Sequence, residues 1–202
     1  MKKYFLIIVI LCGLLFCSCD SYSYGELSID QSDVAILSIF SDDGSKDSSL
    51  LIRNYGHAFL SLTNISSSNF FVGGREVSPG ETITIGLWNI LEHFGVWFNV
   101  DGNYISEYNK YPNRVSLSIG ITDDDINTIN KVIDENDKWD IFFNCSAFAI
   151  TCWNSVASSG EKINERFLLS PRYLTKEISK FEGVKYAKEV KTTNTINYYK
   201  EG

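Results

Sequence analysis

Asn144-Cys145-Ser146-Ala147-Phe148-Ala149 puts a cysteine where a helix is about to begin. The unpaired N–H groups and positive dipole end of a helix start favour a thiolate over a thiol. Residues 145, 148, 149, 152 and 153 share one helical face, and they read Cys, Phe, Ala, Cys, Trp. Cys145 therefore belongs at the helix tip on the edge of the core. Cys152 belongs two turns deeper, among apolar neighbours and inert. Their separation corresponds to roughly 10 Å of helical rise, beyond the ~7 Å Cα limit for a disulfide, so both thiols are expected to be free. Alone, Cys145 also fits a small buried hydrophobe, the common fate of an unpaired cysteine.

A base changes that balance. The chain has two histidines. His57 follows Tyr55-Gly56 at the start of a strand, where the glycine permits close approach of another backbone or a ligand. Thiol and imidazole together are the minimum for nucleophilic acyl transfer: the base takes a proton and later returns it to the leaving group. His93 lies in Trp88-Asn89-Ile90-Leu91-Glu92-His93-Phe94, a short segment with a helical reading and a structural or surface role.

Strands are expected at 34–40, 57–63, 81–85, 96–99 and 115–121, from β-branched runs or polar–apolar alternation. Asn69 to Val72 reads as a returning hairpin segment closed by Gly73-Gly74. Thr122 and three aspartates open a helix with Ile126, Ile129, Val132 and Ile133 on one side; capping accounts for the acids without a metal. A second helix runs from Asn144 to about Ala157, and Ser170-Pro171 opens a third. The last twenty residues suggest a closing strand and a loose tail. Residues 42–49 do not follow the alternating ligand order of a calcium loop. The fold class is α+β with a mostly antiparallel sheet.

The N-terminus reads as an export signal. Lys2 and Lys3 precede a short apolar run, and Phe16-Cys17-Ser18-Cys19 resembles a bacterial lipobox. That resemblance implies a signal peptide over 1–18, lipid attachment at Cys19 and loss of Cys12 and Cys17. Asp20 resembles a sorting residue. A tether over 19–32, a domain over 33–190 and a tail over 191–202 follow. The full chain carries a formal charge of −7, with no basic stripe, which argues against nucleic acid as a partner.

Gly56-His57-Ala58-Phe59 opening a strand, then Asn144-Cys145-Ser146-Ala147-Phe148-Ala149 opening a helix, resembles the permuted papain-like cysteine hydrolases, the rearranged NlpC-type branch that includes lecithin:retinol acyltransferase-like enzymes. In that branch the histidine strand comes first. The likeness covers residues 34–180. It implies a permuted papain-like fold, Cys145 as nucleophile, His57 as general base and no cofactor. It also implies a third polar residue on a strand after the histidine. Glu76 is the candidate if the chain turns at Ser66-Ser67, which would bring Arg75 or Glu76 opposite His57; Asn69 and Thr84 are rivals. Thiolate attack would give a thioester, with the Cys145 N–H helping to hold the oxyanion.

The implied substrates are cell-wall peptides or other acyl amides and esters, met at the envelope through a lipid anchor. An acyltransferase or lipid esterase on the same site, a non-catalytic binding lipoprotein and a structural lipoprotein are the competing readings. Oligomeric state is not encoded legibly. Trp88, Trp97 and Tyr104 are candidates for a groove or for the core.

Overall fold

The computed structural model describes residues 27–44, 56–192 and 195–200. The expected signal peptide, Cys19 and the tether as far as residue 26 lie outside the described residues, as does most of the 42–49 loop. Among the described residues no helix is long and apolar enough to cross a membrane.

Seven strands form one antiparallel sheet in the order β8-β7-β1-β2-β5-β6-β9. They are β1 (Ala35–Asp42), β2 (His57–Asn64), β5 (Thr82–Ile90), β6 (His93–Phe98), β7 (Val115–Ile121), β8 (Lys185–Tyr186) and β9 (Asn197–Tyr198). β3 (Phe70–Val72) and β4 (Arg75–Val77) form a separate two-stranded sheet. The helices are α1 (Val100–Tyr108), α2 (Asp123–Glu135), α3 (Cys145–Val156) and α4 (Pro171–Ile178). The molecule is therefore α+β, as its sequence pattern implies.

Alternation along the strands splits the buried residues between two faces. Leu37 and Ile39 of β1, Leu60 and Leu62 of β2 and Ile85 of β5 pack with Ile129, Phe148, Trp153 and Leu174 of α2, α3 and α4. Phe148 and Trp153 are fully buried, each contributing on the order of 1.5–3 kcal/mol. The opposite face carries a smaller cluster, Phe40, Phe59 and Val190, joined by Ile105 of α1 and Tyr111. Phe40 and Phe59 stack at 4.7 Å between centroids.

Local signals set the helix starts. Thr122 and Asp125 form a reciprocal capping box ahead of α2. Ser170 caps α4, with proline at its first position.

Two expectations need correcting. Residues 70–77 do not return against β2; they pair with one another around Gly73-Gly74, and β2 instead takes β5 as its second neighbour. The buried side chain of Asn64 explains the divergence. Its Nδ2 donates to the carbonyls of Ser68 and Val77, and its Oδ1 accepts from Ser66 N–H, so the loop is clamped away from the sheet edge. The segment around His93 is not helical: Ile90 pairs with His93 across a tight hairpin between β5 and β6. Helix α1 had no counterpart in the expected elements.

Candidate functional site

His57 stands at the first position of β2, opposite Asp42 at the end of β1. Gly56 enters that strand at φ +72°, and a Cβ there would lie 2.0 Å from the Asp42 carbonyl oxygen. Only glycine fits this approach. The imidazole shares the sheet face of Phe59 and is 7 % exposed.

Cys145 begins α3 on the other side of the sheet and reaches the strand end beside the backbone of Ala58 and the His57 ring. Asn144 is the N-cap in extended geometry, and its Oδ1 accepts from the N–H groups of Ser146 and Ala147. Its Nδ2 donates to the Leu169 carbonyl, tying the 167–169 loop to the helix start. The cap thus engages the second and third N–H groups of the helix and leaves the first, that of Cys145, to another acceptor. Cys145 is half-buried and Cys152 buried, and both are free.

The carboxylate beside the imidazole comes from α1. Asp101 Oδ1 lies 3.0 Å from His57 Nε2, and Asp101 is fully buried. This is an ion-pair contact with the ring N–H off the line to oxygen, so neither atom completes a linear hydrogen bond. With Nε2 turned to Asp101, Nδ1 is the nitrogen left to face the thiol. Asp101 Oδ2 accepts a long hydrogen bond, 3.5 Å, from Trp88 Nε1. Trp88 also covers the imidazole, with ring centroids 4.0 Å apart, and Tyr104 meets Trp88 edge-on. Tyr111 lies 5.7 Å from the imidazole on centroids. Gly86 makes room for the carboxylate: a Cβ there would fall 2.4 Å from Asp101 Oδ2.

Burial alone would suppress the charge on both members of the thiol–imidazole pair. Their mutual attraction, with Asp101 on the histidine side, outweighs it. His57 is held well above its ordinary pKa by the Cys145 and Asp101 charges, and Cys145 is held below its own by His57 and the Ala58 backbone. Each of these shifts favours the charged form, thiolate on one side and imidazolium on the other. Cys152 has only burial acting on it, which pushes its thiol up. Burial and the nearby negative charges of Asp101 and Cys145 likewise push the Tyr111 phenol up and keep it protonated.

The structure brings together two of the expected residues, Cys145 and His57, and replaces the third. Glu76 turns outward on β4 and accepts a hydrogen bond from Asn69, so neither approaches the imidazole. Arg75 donates to the Tyr198 carbonyl. Thr84 serves the site indirectly: its Oγ1 accepts from Gly102 N–H and its carbonyl from Asn99 N–H, fixing the start of α1 against β5. Trp88 and Tyr104 belong to the site, whereas Trp97 is buried and donates to the His93 carbonyl. Among the described residues no cluster of side chains could hold a metal ion.

Asp101 is the residue that sequence reasoning missed. Its one signal is an acid in the first turn after Asn99, a helix-start pattern. Val100 and Gly102, poor helix formers, obscure it. Asn99 itself adopts a left-handed conformation, and its side chain accepts from Thr84 N–H rather than capping the helix.

Exposed apolar side chains flank the start of α3 along the chain and in the loop tied to it. Ile141 and Phe142 immediately precede the helix start, and Phe167 and Leu168 come from the loop held by Asn144. Phe142 and Phe167 lie 6.1 Å apart on ring centroids. No protein-family model matches the chain, and no curated protein or solved structure matches it.

Proposed function

We propose that this chain is a cysteine hydrolase of the permuted papain-like kind that cleaves an amide. Cys145 is the nucleophile, His57 the general acid and base, and Asp101 the group that orients the imidazole. The observation that carries the reading is the convergence of thiol, imidazole and carboxylate from three distant parts of the chain, with the thiol at a capped helix start.

The Cys145 thiolate attacks the carbonyl carbon, forming a C–S bond while the oxygen takes the negative charge. The Cys145 N–H donates to that oxyanion. As the C–N bond breaks, the imidazolium gives its proton to the leaving nitrogen, releasing an amine and leaving a thioester. Water then loses a proton to the imidazole and adds to the thioester carbon. The C–S bond breaks, the acid departs, and the thiolate–imidazolium pair is restored.

Cell-wall peptide is the substrate class that the family resemblance favours, met at the bacterial envelope by a chain anchored through Cys19. The exposed Ile141 and Phe142 just before α3, and Phe167 and Leu168 in the loop tied to its start, favour a second reading, an acyltransferase or lipid esterase on the same residues. Incubating the protein with phospholipid or with peptide amide, then weighing the Cys145 peptide, separates the two. A long-chain thioester after phospholipid selects the second.

The test of the shared chemistry is iodoacetamide labelling across pH, with the adduct located by mass spectrometry. Rapid modification confined to Cys145 below pH ~7, lost in His57→Ala, is the expected result. Slow, equal labelling of Cys145 and Cys152 following an ordinary thiol near ~8.5 would sink the proposal.

A further inference from the structure

Tyr111 is a bulky residue in the left-handed region, at φ 57°, directly before Pro112. Both features are unfavourable: a side chain crowds the backbone there, and a following proline pushes its predecessor toward extended geometry. Such strain persists only where the surroundings over-determine it. Here they do. The Tyr111 carbonyl accepts from the Arg114 N–H and from Arg114 Nη1. The same guanidinium donates from Nε to the Lys188 carbonyl and from Nη2 to the Ala187 carbonyl. Asn113 N–H donates to Oδ2 of Asp42, the residue opposite His57 in register. The loop is thus fixed between the end of β1 and the chain after β8.

This loop sets a phenol beside the reacting pair. The Tyr111 ring lies 5.7 Å from the imidazole and 6.1 Å from Phe59 on centroids. That packing needs only the ring. The residue is half-buried, and no described group hydrogen-bonds its hydroxyl. Burial, then the charges of Asp101 and Cys145, keep the phenol protonated. It is a donor without an acceptor, within electrostatic reach of the nucleophile. Its ring packs on the Phe59 face of the sheet, as the imidazole does, and at the strand end the imidazole of that face already meets Cys145.

Acyl transfer at Cys145 creates the missing acceptor. When sulfur adds to a carbonyl carbon, the oxygen gains a negative charge beside the helix start, where the Cys145 N–H is the one donor assigned above. A second donor fixed in place before the reaction strengthens that stabilisation at no cost in reorganisation. We propose that Tyr111 Oη donates to the carbonyl oxygen of the substrate as it becomes the oxyanion, so that the phenol and the Cys145 N–H hold it together. This rests on the hydrolase reading and adds a catalytic residue to it.

The test compares two electrophiles on the full-length chain. Iodoacetamide is attacked at a saturated carbon and loses iodide, so no carbonyl oxygen becomes an anion. p-Nitrophenyl acetate is attacked at its carbonyl carbon. A C–S bond forms, the C–O bond to nitrophenolate breaks, and nitrophenolate departs with the electron pair and needs no proton. Nitrophenolate absorbance and the mass of the Cys145 peptide follow the two reactions. Tyr111→Phe keeps the ring and removes the hydroxyl. Its Cys145 should be alkylated at the native rate and with the native pH profile, yet acetylated roughly 10²-fold more slowly, the lower end of the range for one oxyanion donor. His57→Ala, by contrast, should slow both reactions at neutral pH by lowering the thiolate fraction.

Equal slowing of both reactions in Tyr111→Phe would make the hydroxyl a support for the thiolate and overturn the proposal. Unchanged acetylation would overturn it as well, as would native protein alkylated selectively at Cys145 but not acetylated there. Slow, equal alkylation of Cys145 and Cys152 in the native protein is a separate failure, that of the hydrolase reading itself, and removes this proposal with it.

Discussion

The two histidines each meet one aspartate: His57 Nε2 lies 3.0 Å from Asp101 Oδ1, and His93 Nε2 lies 2.7 Å from Asp137 Oδ1. Their surroundings differ. Asp137 Oδ1 also accepts from Val96 N–H, and Tyr198 stacks on the His93 ring, so that pair pins the chain after α2 to the β5–β6 hairpin. Asp101 is wholly buried, and its imidazole has a thiol on its other side. A histidine–carboxylate contact is thus no sign of chemistry by itself. A third, reactive group at the free ring nitrogen makes the difference.

The largest effects should follow from breaking the thiol–imidazole pair. Cys145→Ala should abolish turnover. His57→Ala should cost roughly 10²–10⁴-fold in kcat/KM, the range for a positioned acid–base group. His93→Ala should leave kcat/KM within a factor of about two. A His93 variant as inactive as the His57 variant, assayed on the same substrate with folding checked by circular dichroism, would erase the distinction.

The pH profile sharpens the comparison next. Cys145 is shifted down and His57 up, so the ion pair persists between those two limits. Its stabilisation has two edges. On the Cys145 side it is present at high pH and lost as pH falls through the lowered thiol pKa; on the His57 side it is present at low pH and lost as pH rises through the raised imidazole pKa. The Cys145 alkylation rate should therefore be flat across neutral pH and fall only on the acid side. In His57→Ala the rise should move toward the ordinary thiol range near ~8.5. Cys152 should stay unreactive throughout in the folded protein.

How much of this the sequence carried depended on whether the determining contacts were local. The start of α3 was legible because Asn144 caps it and the apolar face from Phe148 to Trp153 repeats at helical spacing. His57 was legible through Gly56, whose positive φ the close passage of Asp42 requires. Asp101 was not. Its helix has weak formers at its first and third positions, and what holds it is remote: Thr84 on the neighbouring strand and the gap above Gly86. Glu76 was misplaced for the same reason, because a single buried side chain, Asn64, decides which strands pair.

Gly86 allows a finer cut at the Asp101 side. Adding one methyl at this position crowds Asp101 Oδ2 and Trp88 Nε1 at once. Gly86→Ala should shift the carboxylate off the imidazole, lowering kcat more than it raises KM. It should also cost about 1–3 kcal/mol of stability through overpacking. Asp101→Asn, nearly isosteric, should reproduce the loss of kcat with a smaller loss of stability. Urea melts beside steady-state kinetics separate the two, and equal kcat in all three proteins would remove Asp101 from the site.

The smallest effect belongs to the other aspartate. Asp137→Asn keeps an oxygen for Val96 N–H but places a neutral amide against His93, so the hairpin should loosen by roughly 1 kcal/mol. Asp137→Ala removes that oxygen and leaves a partly buried N–H without its acceptor, costing on the order of 1–3 kcal/mol. Neither change touches the thiol, so iodoacetamide labelling of Cys145 should keep its rate and its pH profile in both variants. A shifted profile would mean that the two histidine sites are coupled through β5 and β6, the hairpin joining Trp88 to His93. That outcome would replace the picture of one reactive and one structural pair with a single linked device.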